Sequence, residues 1–191
     1  MKVFVCVNNY STEKSEKNFG WYFLADSAVS NTGKPFFLPE DSGMVSVSLA
    51  PAVRISRLGK FIAPKFASRY FSEWAPALHF SLPVLENNLR LTGLPQDPAW
   101  NFDRSLFVYD FIPFRPEDNF TLLKNGEESG SFSLPDLLLP IEEVIARVSR
   151  LNTVKMGDIL LPALGEGVSL KSEDLLEVMI NGQKAFHVKV K

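Results

Sequence analysis

Pro140-Ile141-Glu142-Glu143-Val144-Ile145-Ala146-Arg147-Val148-Ser149-Arg150, followed by Met156-Gly157-Asp158-Ile159-Leu160-Leu161 and Asp174-Leu175-Leu176-Glu177-Val178, carries a helix, a turn and strand, and a closing strand in close succession. Ile141, Val144, Ile145 and Val148 fall at i, i+3, i+4 and i+7 behind Pro140, so the spacing predicts a helix over 141–150 with one apolar stripe. Asp158 to Leu164 reads as a strand, entered through a Gly-Asp turn that the aspartate side chain can hold. Leu175 to Ile180 and Ala185 to Val190 flank Asn181-Gly182, a pair that tolerates the positive φ angles of a type I′ turn, and so predict a closing hairpin.

Elsewhere in the chain, strand-like runs recur at Lys2 to Val7, Trp21 to Leu24, Met44 to Leu49, Arg104 to Ile112 and Phe120 to Leu123. Lys124-Asn125-Gly126-Glu127 gives a second hairpin signal, between Phe120-Leu123 and Ser131-Phe132-Ser133. Two further helices are expected. One runs from Pro64 to Trp74, with Phe66, Tyr70, Phe71 and Trp74 spaced for one face, and a shorter one from Pro83 to Leu91. With 16 phenylalanines and 13 prolines, no internal repeat and no βαβ alternation, the chain reads as α+β, mainly β, in one domain over 1–191.

Acidic and basic residues nearly cancel, at 22 against 20, which points away from nucleic acid or a membrane surface as partner. Cys6 is the one cysteine and lies in the apolar run Val3-Phe4-Val5-Cys6-Val7, which excludes a disulfide framework and a thiolate metal site. The N-terminal hydrophobic run turns polar at Asn8, too short for a signal peptide or a span, so a cytoplasmic location is expected.

The order of the opening stretch resembles the fumarylacetoacetate hydrolase family: a helix ending in Ser149-Arg150, the turn Gly157-Asp158, an apolar strand, then Gly167-Val168 and an acidic-capped final hairpin. Ala52-Val53-Arg54-Ile55 with Gly59-Lys60-Phe61-Ile62, the segment Trp100-Asn101-Phe102-Asp103-Arg104-Ser105, and the start Val5-Cys6-Val7-Asn8-Asn9-Tyr10 extend the likeness over nearly the whole chain. The resemblance implies a mixed β-roll with a few peripheral helices, with residues 1–40 holding the first strand and a lid-like segment. It also implies a homodimer, a magnesium or manganese ion, and chemistry on β-dicarbonyl or 2-oxo acids.

The same resemblance places the family's metal-binding Glu-x-Glu on Ser48 and Ala50, and its aspartate on His79 of Leu78-His79-Phe80-Ser81. None is a carboxylate, and three lost negative charges remove most of the attraction that offsets dehydrating a hard divalent cation. No metal or cofactor is therefore expected. The family's lysine becomes Arg104, its Thr-Gly-Thr-Pro loop becomes Pro162-Ala163-Leu164-Gly165, and its lid histidine has no counterpart in Ser11-Thr12-Glu13-Lys14-Ser15-Glu16.

Each remaining candidate has a plain reading beside the chemical one. His79 as a zinc ligand lacks a second histidine at ligand spacing, since His187 sits in the terminal hairpin, so a packed imidazole is the expectation. Arg104 keeps the charge of the lysine it replaces and can grip a small carboxylate or form a structural ion pair. Ser81 and Ser105 match the family pattern but lack a neighbouring base. Glu40, Asp41 and Glu166 read as solvated loop charges unless one swings in to replace a lost ligand. The expectation is a family relative without metal-dependent catalysis, with Ser48, His79, Ser81, Arg104 and Ser105 as pocket candidates. The alternative is an active hydrolase or decarboxylase with a rearranged metal site.

Overall fold

The structure is a computed structural model describing residues 1–10, 19–31 and 33–191; the lid segment Ser11 to Glu16 lies outside the described residues. The strands are β1 (Val3–Val7), β2 (Gly20–Leu24), β3 (Val29–Asn31), β4 (Val45–Ile55), β5 (Phe71–Ser81), β6 (Leu106–Val108), β7 (Ile112–Pro113), β8 (Asn119–Lys124), β9 (Glu127–Ser133), β10 (Ile159–Leu161), β11 (Val168–Leu170), β12 (Leu175–Ile180) and β13 (Gln183–Lys189). The helices are α1 (Pro64–Ala67), α2 (Pro83–Leu91) and α3 (Ile141–Leu151).

One mixed sheet runs in the order β2-β1-β10-β4-β5-β6-β3, with β11 beside β4 and β7 beside β5. A second, antiparallel sheet runs β13-β12-β8-β9. Both predicted hairpins form, and Asn125, Gly126, Asn181 and Gly182 all adopt the positive φ that their turns require. Helix α3 buries Ile141, Val144, Ile145 and Val148 as its spacing demands.

The long central pair β4 and β5 organises everything else. Both are largely buried on both faces, so beyond the alternating start Val45-Ser46-Val47-Ser48-Leu49 of β4 their sequences carry little period-2 pattern to betray the strand. Pro51 lies directly opposite Pro76. Neither ring nitrogen can donate, so this must be a non-hydrogen-bonded pair with both nitrogens turned outward. On its outer side β4 meets β10 at residues 53–54 and β11 at residues 45–47, and Pro51 falls in the gap between them, where no ladder partner is lost.

The helix expected from Pro64 to Trp74 is a correction. Helix α1 ends at Ala67, a 3-10 turn covers Ser68–Tyr70, and Phe71 to Trp74 begins β5. Trp74 is fully buried against Phe114, Phe120 and Phe132, and this tertiary packing overrides the local aromatic spacing. The run Arg104 to Ile112 is likewise broken, with only 106–108 and 112–113 in strand.

The mixed sheet has two different faces. Val45, Val47, Leu49, Val53, Trp74, Leu78 and Phe80 belong to the large core. The opposite face collects Val3, Val5, Leu24, Ala50, Ala52, Ala75, Ala77, Leu106, Val108, Ile159 and Leu161. Since these come from six strands of one sheet, the sheet curls until its members meet across the concave side. Four alanines on β4 and β5 are what that curvature leaves room for.

Candidate functional site

On the concave face, Ser46, Ser48 and Ala50 alternate along β4 and stand opposite Ser81, His79 and Ala77 of β5. Two sequence candidates, Ser48 and His79, are thus a direct cross-strand pair, and Ser81 is one step along the same face. Ala50 and Ala77 continue into the apolar interior, so the polar end of this face is the mouth of the roll.

The segment after β10 forms the wall. Between β10 and β11 the chain loops out over the gap beside β4, and Gly165 N–H donates to Leu49 O at 2.8 Å. Gly167 lies so close to β4 that a Cβ there would meet Ser46 Oγ at 2.6 Å, so a side chain at this position would collide with the serine row. Asn9, fully buried, fixes the start of the loop. Its Nδ2 donates to Leu139 O at 3.1 Å and to Pro162 O at 2.9 Å, while its Oδ1 accepts from Leu139 N–H at 2.7 Å.

His79 is closed off from solvent, at 2 % exposure. Its Nε2 lies 3.4 Å from Tyr22 Oη, and Tyr22 in turn stacks on Trp100 at 4.5 Å between ring centroids. Burial drives the imidazole down to about 4, partly opposed by a hydrogen bond with the Trp100 backbone, so it is neutral at physiological pH. Burial also pushes the Tyr22 phenol well up from 10.0, with the carboxylate of Glu86 adding to the effect. Two uncharged rings and a hydroxyl therefore occupy the position. Sequence reasoning missed Tyr22; the signal was its alternation in β2 with Leu24, which faces the same concave cluster.

The other candidates are placed elsewhere. Arg104 has a left-handed backbone, φ 64°, which breaks the alternation of its segment. Its guanidinium donates to Pro35 O at 3.0 Å and lies 5.9 Å from the Phe107 ring. Phe107 stands opposite Leu78, so Arg104 approaches the aromatic group Phe36, Phe80 and Phe107 on the large-core side, away from His79. Ser105 is buried with its Oγ unpartnered among the described residues. Glu40 and Asp41 are exposed in the loop before β4. Glu166, also exposed, lines a separate cavity of about 280 Å³ with Tyr10, Ser131 and Asp136.

No protein-family profile matches the chain. It is 27 % identical over 168 residues to the oxaloacetate tautomerase YcgM of Escherichia coli (strain K12), covering 84 % of this chain and 77 % of that protein. The crystal structure of a Yersinia pestis CO92 protein assigned to the fumarylacetoacetate hydrolase family superposes with a TM-score of 0.90 at 24 % identity, over 100 % of this chain and 93 % of that one. Fumarylpyruvate hydrolase from Pseudomonas aeruginosa, solved with Mn2+ and pyruvate, gives a TM-score of 0.91 at 18 % identity, over 100 % and 89 %. Curled mixed sheet, paired hairpins and a site between two central strands define a mixed β-roll. In sequence the chain is similar to oxaloacetate tautomerases, and its fold is the one seen in solved fumarylacetoacetate hydrolase family structures.

Magnesium and manganese require hard, preferably anionic oxygen ligands in near-octahedral array. The residues on this face, Ser46, Ser48, Ala50 and the neutral, enclosed His79, do not fit that requirement. Among the described residues no group of three or more histidine, cysteine, aspartate or glutamate side chains is arranged to hold a metal ion.

Proposed function

We propose that this chain keeps the family scaffold but has replaced its metal ligands with uncharged side chains, one of which, His79, is enclosed in the core, and does not carry out metal-dependent turnover. The observation that carries this reading is the Ser48–His79 pair. The pair lies directly across two central strands and is roofed by Tyr22 and Trp100, at two of the positions to which the family resemblance assigns metal ligands. A fold of this kind persists without chemistry, because its stability resides in the packing of its strands. A small carboxylate, if bound, is held apart from this pair, on the other side of the sheet, by the nitrogens of Arg104 that Pro35 O does not engage. The assembly proposed is a homodimer in the cytoplasm, and no helix among the described residues is long and apolar enough to cross a membrane.

The test is turnover of oxaloacetate (keto–enol exchange) and of fumarylpyruvate (hydrolysis) by the purified chain with Mg2+ or Mn2+. The proposal expects no rate above that of buffer and metal alone. A metal-dependent rate would overturn it in favour of an active hydrolase or decarboxylase of 2-oxo or β-dicarbonyl acids, with ligands drawn from Glu40, Asp41 or Glu166.

A further inference from the structure

The fold gathers onto one corner a group of cations that the balanced total charge conceals. Residues 56–70 include Arg57, Lys60, Lys65 and Arg69 and not one carboxylate. The end of α3 and the turn after it add Arg150 and Lys155. Backbone hydrogen bonds lock the two segments side by side: Gly59 N–H to Val154 O at 3.0 Å, Val154 N–H to Gly59 O at 2.9 Å and Phe61 N–H to Ser149 O at 2.9 Å. All six cations are exposed, and none forms an ion pair with another described residue. The chain's net charge is −2, so this corner at +6 leaves −8 for the rest, a strongly segregated molecule.

Among these cations stand large apolar side chains facing water: Leu58 at 68 % exposure, Phe61 at 71 %, Leu151 at 74 % and Met156 at 79 %. Phe66 is exposed beside them, with Lys65 and Arg69 each about 5.0 Å from its ring centroid. Phe61 adopts a left-handed backbone, φ 54°, a conformation costly for a bulky residue. It is held there by its own bond to Ser149 and by Ile62 N–H donating to Ser149 Oγ at 2.9 Å. Strain maintained so as to leave a phenylalanine in solvent is a sign of a contact still to be made.

We propose that this corner docks the protein peripherally on an anionic phospholipid surface, with Leu58, Phe61, Leu151 and Met156 entering the headgroup boundary and the six cations meeting lipid phosphates. The charge decides against a second copy, because a two-fold contact would set +6 against +6. The aliphatic character of Leu58, Leu151 and Met156 decides against nucleic acid, where exposed groups in a cationic surface serve as aromatic stacking platforms, while mixed aliphatic and basic surfaces suit the bilayer interface. This inference is independent of the reading of the Ser48–His79 site.

The experiment is co-sedimentation of the full chain with vesicles of phosphatidylcholine alone or mixed with phosphatidylglycerol, at low and high salt, with a single-stranded oligonucleotide of equal phosphate concentration as competitor. Binding is expected to the mixed vesicles alone, lost at high salt, and undisturbed by the oligonucleotide. Each cation near the surface contributes about five-fold in partition, so Lys60→Gln with Lys65→Gln should weaken binding roughly 30-fold. Phe61→Ser with Leu151→Ser should also reduce it at unchanged charge. All four residues are exposed, so the variants should keep the native melting temperature. Equal binding to both vesicle types, binding unaffected by the lysine substitutions, or displacement by the oligonucleotide would overturn the proposal.

Discussion

His79 should make the protein acid-sensitive in a defined window. Folded, its imidazole titrates near 4 because burial disfavours the charged form; unfolded, it titrates near 6.5. Unfolding below pH 6.5 therefore takes up a proton that the native state refuses, and stability falls as pH drops from 6.5 towards 4. The full effect is about 3 kcal/mol, of which roughly 2 kcal/mol is realised between pH 7 and about pH 4.5. His79→Gln fills the same space, retains a hydrogen-bonding head for Tyr22 and has no proton to take up. Urea denaturation of both proteins at a series of pH values isolates this contribution, since every other titrating group is common to the two. The variant should lose roughly 2 kcal/mol less than the wild type over this range. Parallel stability profiles would instead mean that the histidine reaches water or a compensating charge in the native state.

Asn9→Ala removes a side chain that pairs with Leu139 at both its N–H and its O and with Pro162 O in a dry interior; it should cost about 2 to 4 kcal/mol by chemical denaturation. Gly59→Ala would place a Cβ 2.4 Å from Tyr70 Cε1 and 2.8 Å from Ile62 Cδ1, so a loss of about 1 to 3 kcal/mol is expected in the same assay. Burial alone would raise the Asp158 carboxyl, but hydrogen bonds from the Lys2 side chain and from the Lys2 and Lys155 backbones more than reverse this and hold it below 3.8. Its contribution is thus present above pH 3.8 and lost as pH falls below it. Asp158→Ala should cost about 2 to 3 kcal/mol at neutral pH and flatten the stability profile at the acid end.

The hairpins and α3 were legible because each carries a local cause: Asn125-Gly126 and Asn181-Gly182 at positive φ, and an uninterrupted apolar stripe behind Pro140. Strand β5 was not, because burial on both faces erases the period-2 pattern and leaves Phe66, Tyr70, Phe71 and Trp74 at helix-like spacing. Strands β3 and β11, three residues each, are set by distant partners and have no sequence signal of their own. At the site, Ser48 and His79 were each singled out by matching positions to a family pattern, while their standing opposite one another is set by the register of β4 on β5. The roof of Tyr22 and Trp100 depended on how β2 and the segment before β6 come together, and the turning of Arg104 depended on a left-handed backbone that nothing in Asp103-Arg104-Ser105 announces. The cationic corner was hidden by the total charge, since segregation becomes visible only when residues 56–70 and 149–157 are brought side by side.

Divalent metal is expected to find no place between β4 and β5, and the melting temperature of the purified chain with and without millimolar Mg2+ or Mn2+, alone and with oxalate, tests this. A metal present at about 100 times its dissociation constant would stabilise the fold by roughly 2.7 kcal/mol, or about 5 to 10 °C for a chain of this length. No shift with metal is the predicted result, whatever oxalate does alone; an upward shift that requires metal and grows with oxalate would contradict the account.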